Sequence, residues 1–183
     1  MRIVISDGSR RGPAHAHAWP TAKILVDGPE SRWRLGSRGV TLAPGQAMLM
    51  NAFETHEGLD REPCADRRLL VVLISPEAIE ALAPPGTPAP APERPFVSGK
   101  VDLPAPCRLA AASLASMLAD RRPKETPAPE LGQALASALI SCFAVPAGSL
   151  ESPPLDFRLR HPIERARAAP EFLSVDDMVA SSG

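Results

Sequence analysis

The sequence predicts a mainly β fold with α-helices in its second half. The predicted order is a β-barrel, an αα-hairpin and a short helical tail. Residues 1–74 consist of short apolar or alternating runs separated by turn residues, a spacing typical of sandwiches and barrels. Residues 106–121 and 130–143 repeat apolar side chains at three- and four-residue steps, which predicts two amphipathic helices. Hydrophobic residues make up 44% of the 183-residue chain, enough for a core, and the net charge of −1 gives no overall signal for nucleic acid or membrane.

The predicted strands are short runs between glycine and proline turns. In order they are RIVI, AHAHAW, AKILV, SRWRL, GVTL and AMLM, all before residue 51. The run RRLLVVLI at 67–74 is continuously apolar and predicts a strand buried on both faces. The segment SPEAIEALA predicts a short helix, with Ser75 as its N-cap and Pro76 at the first helical position.

Proline separates the remaining segments, since most of the 22 prolines cluster where the apolar periodicity stops. These breaks predict five regions. They are a barrel at 1–83, a Pro-rich connector at 84–105 that rejoins the barrel, a helical pair at 106–145, a linker at 146–155 and a helical tail at 156–183.

The helical pair is predicted to form a homodimer interface. A single pair cannot cover both itself and a barrel, so an apolar stripe should remain for a second copy of the chain. The residues predicted for this contact are Leu114, Met117, Leu118, Leu131, Leu135 and Leu139.

Three histidines are the candidate metal ligands. His15 and His17 alternate, so on a strand they share one face, and His56 follows a predicted turn and strand. Three converging imidazoles would suit Zn, Ni, Fe or Cu. Alternatively, these histidines line a pocket or bond to backbone groups near the barrel rim.

Four further residues are candidates for the wall of a ligand pocket. Lys23 either points inward, which would favour an anionic ligand, or lies exposed on an edge strand. Trp33, Met48 and Met50 either line the same cavity or belong to the plain core. The sequence contains no Ser-His-Asp signature and no phosphate-binding loop, so the case for an enzyme depends on the histidines alone. The three cysteines form no CxxC motif, which favours the cytoplasm.

The segments HAHAW and LAPGQAMLMNAFETHEG resemble the two motifs of the cupin barrel. In a metal-binding cupin, the first motif continues to a glutamate four or five residues after the second histidine. Here those positions hold Ala22 or Lys23, and Asn51 stands where the second motif usually has proline. The resemblance implies a small barrel with His15, His17 and His56 in its interior.

The order of parts resembles AraC-type transcription regulators, and LSVDDMVASSG at 173–183 resembles the start of their helix-turn-helix domain. Ser174 is the expected N-cap, followed by an apolar stripe of Val175, Met178 and Val179. The resemblance implies a barrel that senses an unknown small molecule, dimerising helices, and a DNA-binding domain of which only the first pieces are present.

On this interpretation the chain is a cytoplasmic, non-enzymatic dimer that does not bind specific DNA by itself. The alternatives are a small cupin metalloenzyme, of the dioxygenase or isomerase type, and a stand-alone cupin binding protein.

Overall fold

The protein is described by a computed structural model that covers residues 2–6, 13–60, 64, 66–84, 86, 88–119, 129–147 and 173–174. In these residues the strands are β1 (Arg2–Ser6), β2 (His15–Ala16), β3 (Thr21–Asp27), β4 (Ser31–Leu35), β5 (Arg38–Leu42), β6 (Gln46–Met50), β7 (His56–Gly58), β8 (Arg68–Leu73), β9 (Gly99–Asp102) and β10 (Leu173–Ser174). The helices are α1 (Pro76–Leu82), α2 (Ala105–Ala119) and α3 (Pro129–Phe143).

The strands form two five-stranded sheets in which every described pairing is antiparallel. The first sheet has the order β1-β8-β3-β6-β9, and the second has the order β10-β2-β7-β4-β5. Strand β3 lies near the middle of the first sheet, where Lys23 is opposite Met48 on one neighbour and Val71 on the other. The predicted fold class, mainly β with α, is confirmed.

Two apolar clusters lie on opposite faces of the first sheet. On one face, Ala22 and Ile24 pack with residues of α1, α2 and α3. On the other, Leu25 packs with residues of both sheets. We call this second cluster the intersheet core; its buried members are Leu25, Trp33, Leu35, Leu42, Met48, Met50, Leu69, Val71 and Leu73. Alternation along the strands explains the division, because successive side chains point to opposite faces of a sheet.

Most of the predicted elements are present within a residue or two. Strand β8 is the predicted doubly buried run, and α2 and α3 match the predicted helical pair. Helix α1 has Pro76 in its first turn, and the Ala78 N–H donates to the Ser75 hydroxyl. The predicted strand AHAHAW shortens to two residues. Strands β7 and β9 were not predicted, since β7 is only three residues long and β9 follows a proline-rich segment.

Helices α2 and α3 share a core with the first sheet, which changes the interpretation of the predicted dimer residues. Leu114, Leu135 and Leu139 are completely buried against the sheet inside one chain, and Leu118 and Leu131 pack at the edge of the same cluster. Met117 is partly buried. The apolar stripe is therefore covered within the chain, contrary to the expectation that it stays free for a partner. Among the described residues, the large hydrophobic side chains that remain exposed are Val97 and Leu109, at 61% and 70%.

Much of the predicted linker and tail lies outside the described residues. This applies to 148–155 of the linker and to the predicted helical tail at 156–183 apart from residues 173–174, including Val175, Met178 and Val179. Leu173 and Ser174 are described as β10, which pairs with β2. Within the part of the chain that the structure describes, no helix is long and apolar enough to cross a membrane.

Two leucines on α2 provide a test of this packing. We expect Leu114→Ala to lower the free energy of unfolding by about 2–5 kcal/mol, because it opens a cavity in a closed core. Leu109→Ala makes the same chemical change at an exposed position and should cost less than about 0.5 kcal/mol. Urea denaturation of both variants measures the difference. Equal losses would contradict the burial of Leu114.

Candidate functional site

The three predicted histidines converge at the edge of the second sheet. His15 lies in β2 and is opposite His56, the first residue of β7, while His17 follows directly after β2. The ring centroids are 4.3 Å apart for His15 and His56, 4.8 Å for His17 and His56, and 5.1 Å for His15 and His17. One nitrogen from each ring lies within 4.8 Å of the others. The structure therefore confirms the predicted convergence.

A tight turn before β7 brings His56 to the other two histidines. Phe53 has a positive φ of 63°, and its N–H donates to the His17 carbonyl at 2.8 Å. The Glu54 carboxylate accepts the Asn51 N–H at 3.1 Å and closes the turn. These two bonds join the end of the His17 segment to the turn, so His56 returns to the strand that carries His15.

Backbone carbonyls determine which nitrogen of two imidazoles carries the proton. His15 Nδ1 lies 3.0 Å from the Pro13 carbonyl, and His56 Nδ1 lies 3.2 Å from the Glu54 carbonyl. Since a carbonyl only accepts, each Nδ1 must be the donor, and each Nε2 keeps its lone pair. His56 Nε2 is buried and has no hydrogen-bond partner among the described residues. An outward lone pair on an imidazole held from behind is the usual arrangement of a metal-binding histidine.

The surroundings favour the neutral form of all three rings. Burial lowers the pKa of His15; the charge of Lys23 adds to this, and the bond to Pro13 partly opposes it. Burial, then the charges of Lys23 and His15, lower the pKa of His17 to about 3. The pKa of His56 is also lowered, mainly by burial. Neutral imidazoles are the form that binds metal ions.

Lys23 points into the intersheet core, so the predicted alternative of an exposed edge-strand lysine is wrong. Lys23 is only 4% exposed, and it lies on β3, the central strand of the first sheet. Its Nζ lies 3.9 Å from the centroid of the Trp33 ring, within cation–π distance. Burial lowers the pKa of Lys23 to about 7. In the described part of the chain, no carboxylate pairs with this ammonium group.

A buried polar network holds the Trp33 ring in place. The indole N–H donates to the Ser31 hydroxyl at 2.9 Å, and that hydroxyl donates to Asp60 Oδ2 at 3.2 Å. Arg67 Nη1 binds the same carboxylate oxygen at 2.6 Å. Sequence analysis missed Asp60 and Arg67 because their partners are 7 to 38 residues away along the chain. This network aligns the ring face on which Lys23 lies.

Met48 and Met50 are completely buried members of the intersheet core, and Trp33 is a member that is 9% exposed. Both methionines lie on β6, next to β3, and Trp33 lies on β4 of the opposite sheet. The structure thus brings these three predicted pocket residues together in the intersheet core. Their contacts with one another also satisfy the alternative interpretation as plain core, so their role in binding stays a prediction.

Asn51 explains one departure from the cupin motif. Its amide donates to the Phe96 carbonyl at 2.9 Å and accepts the Phe96 N–H at 3.0 Å. Proline at this position would lose both bonds and the N–H that Glu54 accepts. The pair ties the Pro-rich connector to the end of β6, and β9 then joins the sheet next to β6.

The residues present fit a metal ion held by three neutral imidazoles. In the described part of the chain, no carboxylate takes the place of the first-motif glutamate, since Ala22 faces the helices and Lys23 faces the interior. Among the described residues, the potential ligand group contains only His15, His17 and His56. Three protein ligands leave open positions on a metal, as catalytic and ligand-sensing sites require.

Comparison with known proteins gives partial likenesses in structure only. No protein-family model and no curated protein matches the sequence. A cupin-2 domain containing protein from Shewanella frigidimarina matches 38% of this chain with 17% identity and a TM-score of 0.30, and the DMSP lyase DddQ from Ruegeria pomeroyi matches 38% with 20% identity and a TM-score of 0.31. Procruciferin, an 11S globulin from Brassica napus, matches 90% with 10% identity and a TM-score of 0.26.

The matches cover 63%, 34% and 44% of those three proteins, so this chain spans less than two thirds of each. TM-scores of this size carry no argument about the activity of this chain. The fold assignment above depends on its own strand order and register.

The buried histidines predict a loss of stability in mild acid. The pKa of His17 is about 3 in the folded chain, against an ordinary value of 6.5, so between these values the unfolded chain binds more protons. The stabilisation is complete above the ordinary value and is lost as the pH falls towards the folded value. His17 alone should lower the free energy of unfolding by about 2 kcal/mol between about pH 7 and about pH 5.

Urea denaturation at several pH values, in the presence of a chelator, measures this slope. The variant His17→Gln keeps a polar side chain but cannot titrate, so its slope should be shallower than that of the parent. A parent protein whose stability does not change over this pH range would contradict the neutral, buried state of His17.

Proposed function

We propose that this chain is the small-molecule-sensing and dimerising portion of an AraC-type transcription regulator, without catalytic activity of its own. The effector would bind in the intersheet core next to the histidine cluster and Lys23. Its binding would shift the balance between two arrangements of the helices and the tail. The cytoplasmic location that this function implies stays a prediction.

The main support for this proposal is that the two faces of β3 contact different parts of the molecule. Lys23 points towards the candidate site, while its neighbours Ala22 and Ile24 pack against the helical pair on the other side. A ligand that displaces the β3 backbone would therefore also move side chains that pack in the same cluster as α2 and α3. A sensor needs such a mechanical connection, whereas an enzyme does not.

The described part of the tail supports the same function. Leu173 and Ser174, at the start of the segment that resembles a helix-turn-helix domain, pair with Ala16 and His15. The strand that supplies His15 to the metal-ligand group thus also contacts the start of the tail. A change at the histidines would reach the tail through one strand pairing.

We propose a dimer contact on α2, at a position that the sequence analysis did not predict. Leu109 is exposed and lines a groove of about 480 Å³ together with apolar residues of α2 and β3. The predicted leucines Leu114, Leu135 and Leu139 cannot serve without unpacking the core. We place the contact with a second copy at Leu109.

A reporter assay tests the dimer and the sensor together. The 183-residue chain is fused to a DNA-binding domain that represses its reporter only as a dimer. We expect the fusion to repress, and Leu109→Glu to relieve repression at least about tenfold by charging the contact. Leu109→Ala keeps the surface neutral and serves as the milder control. A parent fusion that does not repress would contradict the dimer, and repression unaffected by Leu109→Glu would place the interface elsewhere.

The second candidate is a small cupin metalloenzyme. The buried, unbonded Nε2 of His56 favours it, because a metal ion would satisfy this atom and act as a Lewis acid towards a substrate. The residues that would hold the metal are His15, His17 and His56. Zn, Ni and Fe remain the candidates by ligand type.

Metal titration separates the two functions. We expect about one equivalent of Zn²⁺ or Ni²⁺ to raise the melting temperature, since binding to the folded state alone stabilises it. His56→Gln should weaken metal binding at least about tenfold. Glu57→Gln is the control, because the neighbouring Glu57 pairs with the exposed Arg34 instead. Metal-dependent turnover would establish the enzyme. Metal binding without turnover would leave the sensor, and unchanged affinity in His56→Gln would refute the metal site.

A further inference from the structure

The strongest unexplained feature of the interior is a buried cation without a counter-charge. Lys23 is 4% exposed, and its ammonium group lies 3.9 Å from the Trp33 centroid. The described residues provide neither a carboxylate nor a hydrogen-bond acceptor for it. A buried lysine without such a partner costs folding free energy, whereas an apolar side chain of similar length would not.

The acidic residues on the neighbouring elements are engaged elsewhere. Glu54 accepts a bond from the Asn51 backbone, and Glu57 pairs with Arg34 on the solvent side of β7. Asp60 is bound by Arg67 and by Ser31. None of these three carboxylates is therefore left to neutralise Lys23.

Two of the histidine rings can accept a hydrogen bond but have no proton to donate to an anion. In His15 and His56 the Nδ1 hydrogen is bonded to a backbone carbonyl, so the Nε2 of each neutral ring carries a lone pair and has no proton to donate to an anion. Lone pairs repel a carboxylate unless a metal ion lies between them. Lys23 is thus the group that can donate to an anion directly, and a metal at the histidines would add positive charge to the same region.

The apolar residues of the intersheet core favour a carboxylate with a hydrocarbon part over a phosphate. The buried members of the intersheet core are Leu, Met, Val and Trp side chains, and the Lys23 ammonium group contacts one of them, Trp33. Without a metal ion at the histidines, a single lysine matches a monoanion, while a phosphate dianion would remain half uncompensated in an apolar setting. Apolar walls would also bury the hydrocarbon part of such an acid.

We infer that the small molecule bound by this chain is a monocarboxylic acid, and that Lys23 pairs with its carboxylate. This deepens the proposed function, on which it rests for the existence of a ligand site. Lys23 stands at one of the two positions where metal-binding cupins have an acidic ligand, and it carries a group of opposite charge. The negative charge thereby comes from the ligand instead of the protein.

Calorimetric titration with matched acid and amide pairs tests this inference. The probes are carboxylates from acetate to benzoate, and the primary amide of each, added to the 183-residue chain with and without one equivalent of Zn²⁺. We expect at least one acid to bind about tenfold or more tightly than its amide. Lys23→Met should abolish that difference, whereas Lys100→Met, at an exposed position on β9, should keep it.

Two further measurements distinguish a wrong assignment of the ligand's charge from the absence of a ligand site. Circular dichroism and Zn²⁺ titration of Lys23→Met check that the variant folds and keeps its histidine cluster. If an amide binds as tightly as its acid, or if Lys23→Met keeps the preference, the carboxylate inference is overturned while the ligand site stands. If neither acids nor amides bind to the parent, the carboxylate inference and the proposed sensing function both fall.

Discussion

The alternation of side chains along β3 is the constraint on which the rest of the structure depends. The strand is central in a sheet that must be buried on both faces, so each residue commits to one of two cores. Ala22 and Ile24 join the helices, and Lys23 and Leu25 face the second sheet. A shift of register by one residue would expel Lys23 to the helices and remove the only cation from the described part of the intersheet core. The alternation along β3 therefore determines both which side chains face the site and which ones pack against the helical pair.

Buried polar groups around the site are held by bonds that fix their direction. Pro13 and Glu54 carbonyls orient two imidazoles, and Ser31 with Asp60 orients the Trp33 indole. Each bond offsets part of the cost of burying a polar group, and a half-satisfied network would be less stable than an apolar core. Within the described ranges, His56 Nε2 has no hydrogen-bond partner, and the Lys23 ammonium contacts the Trp33 ring but no carboxylate. Such incompletely satisfied groups are where folding stability is given up for binding.

A sensor and a metalloenzyme require much of the same site. Both use neutral imidazoles, an apolar enclosure and an open position for a small molecule. What distinguishes this chain is that the site is connected. Strand β3 connects the site to the helical pair, and β2 connects it to Leu173 and Ser174. An interior with a buried lysine and its neighbouring acids already paired would favour anions in the proposed sensor.

The sequence by itself determined the mainly β class, the helical pair, the cap of α1 and the identity of the three converging histidines, because these depend on local periodicity and on side-chain chemistry. It did not determine which face of each element meets which neighbour. The orientation of Lys23, the burial of Leu114 and Leu135, and the strands β7 and β9 followed only from tertiary structure. The same holds for Asn51 bonded to Phe96, which lies 45 residues away. Periodicity shows that a helix has an apolar face. Only packing decides whether a sheet of the same chain or a second molecule covers it.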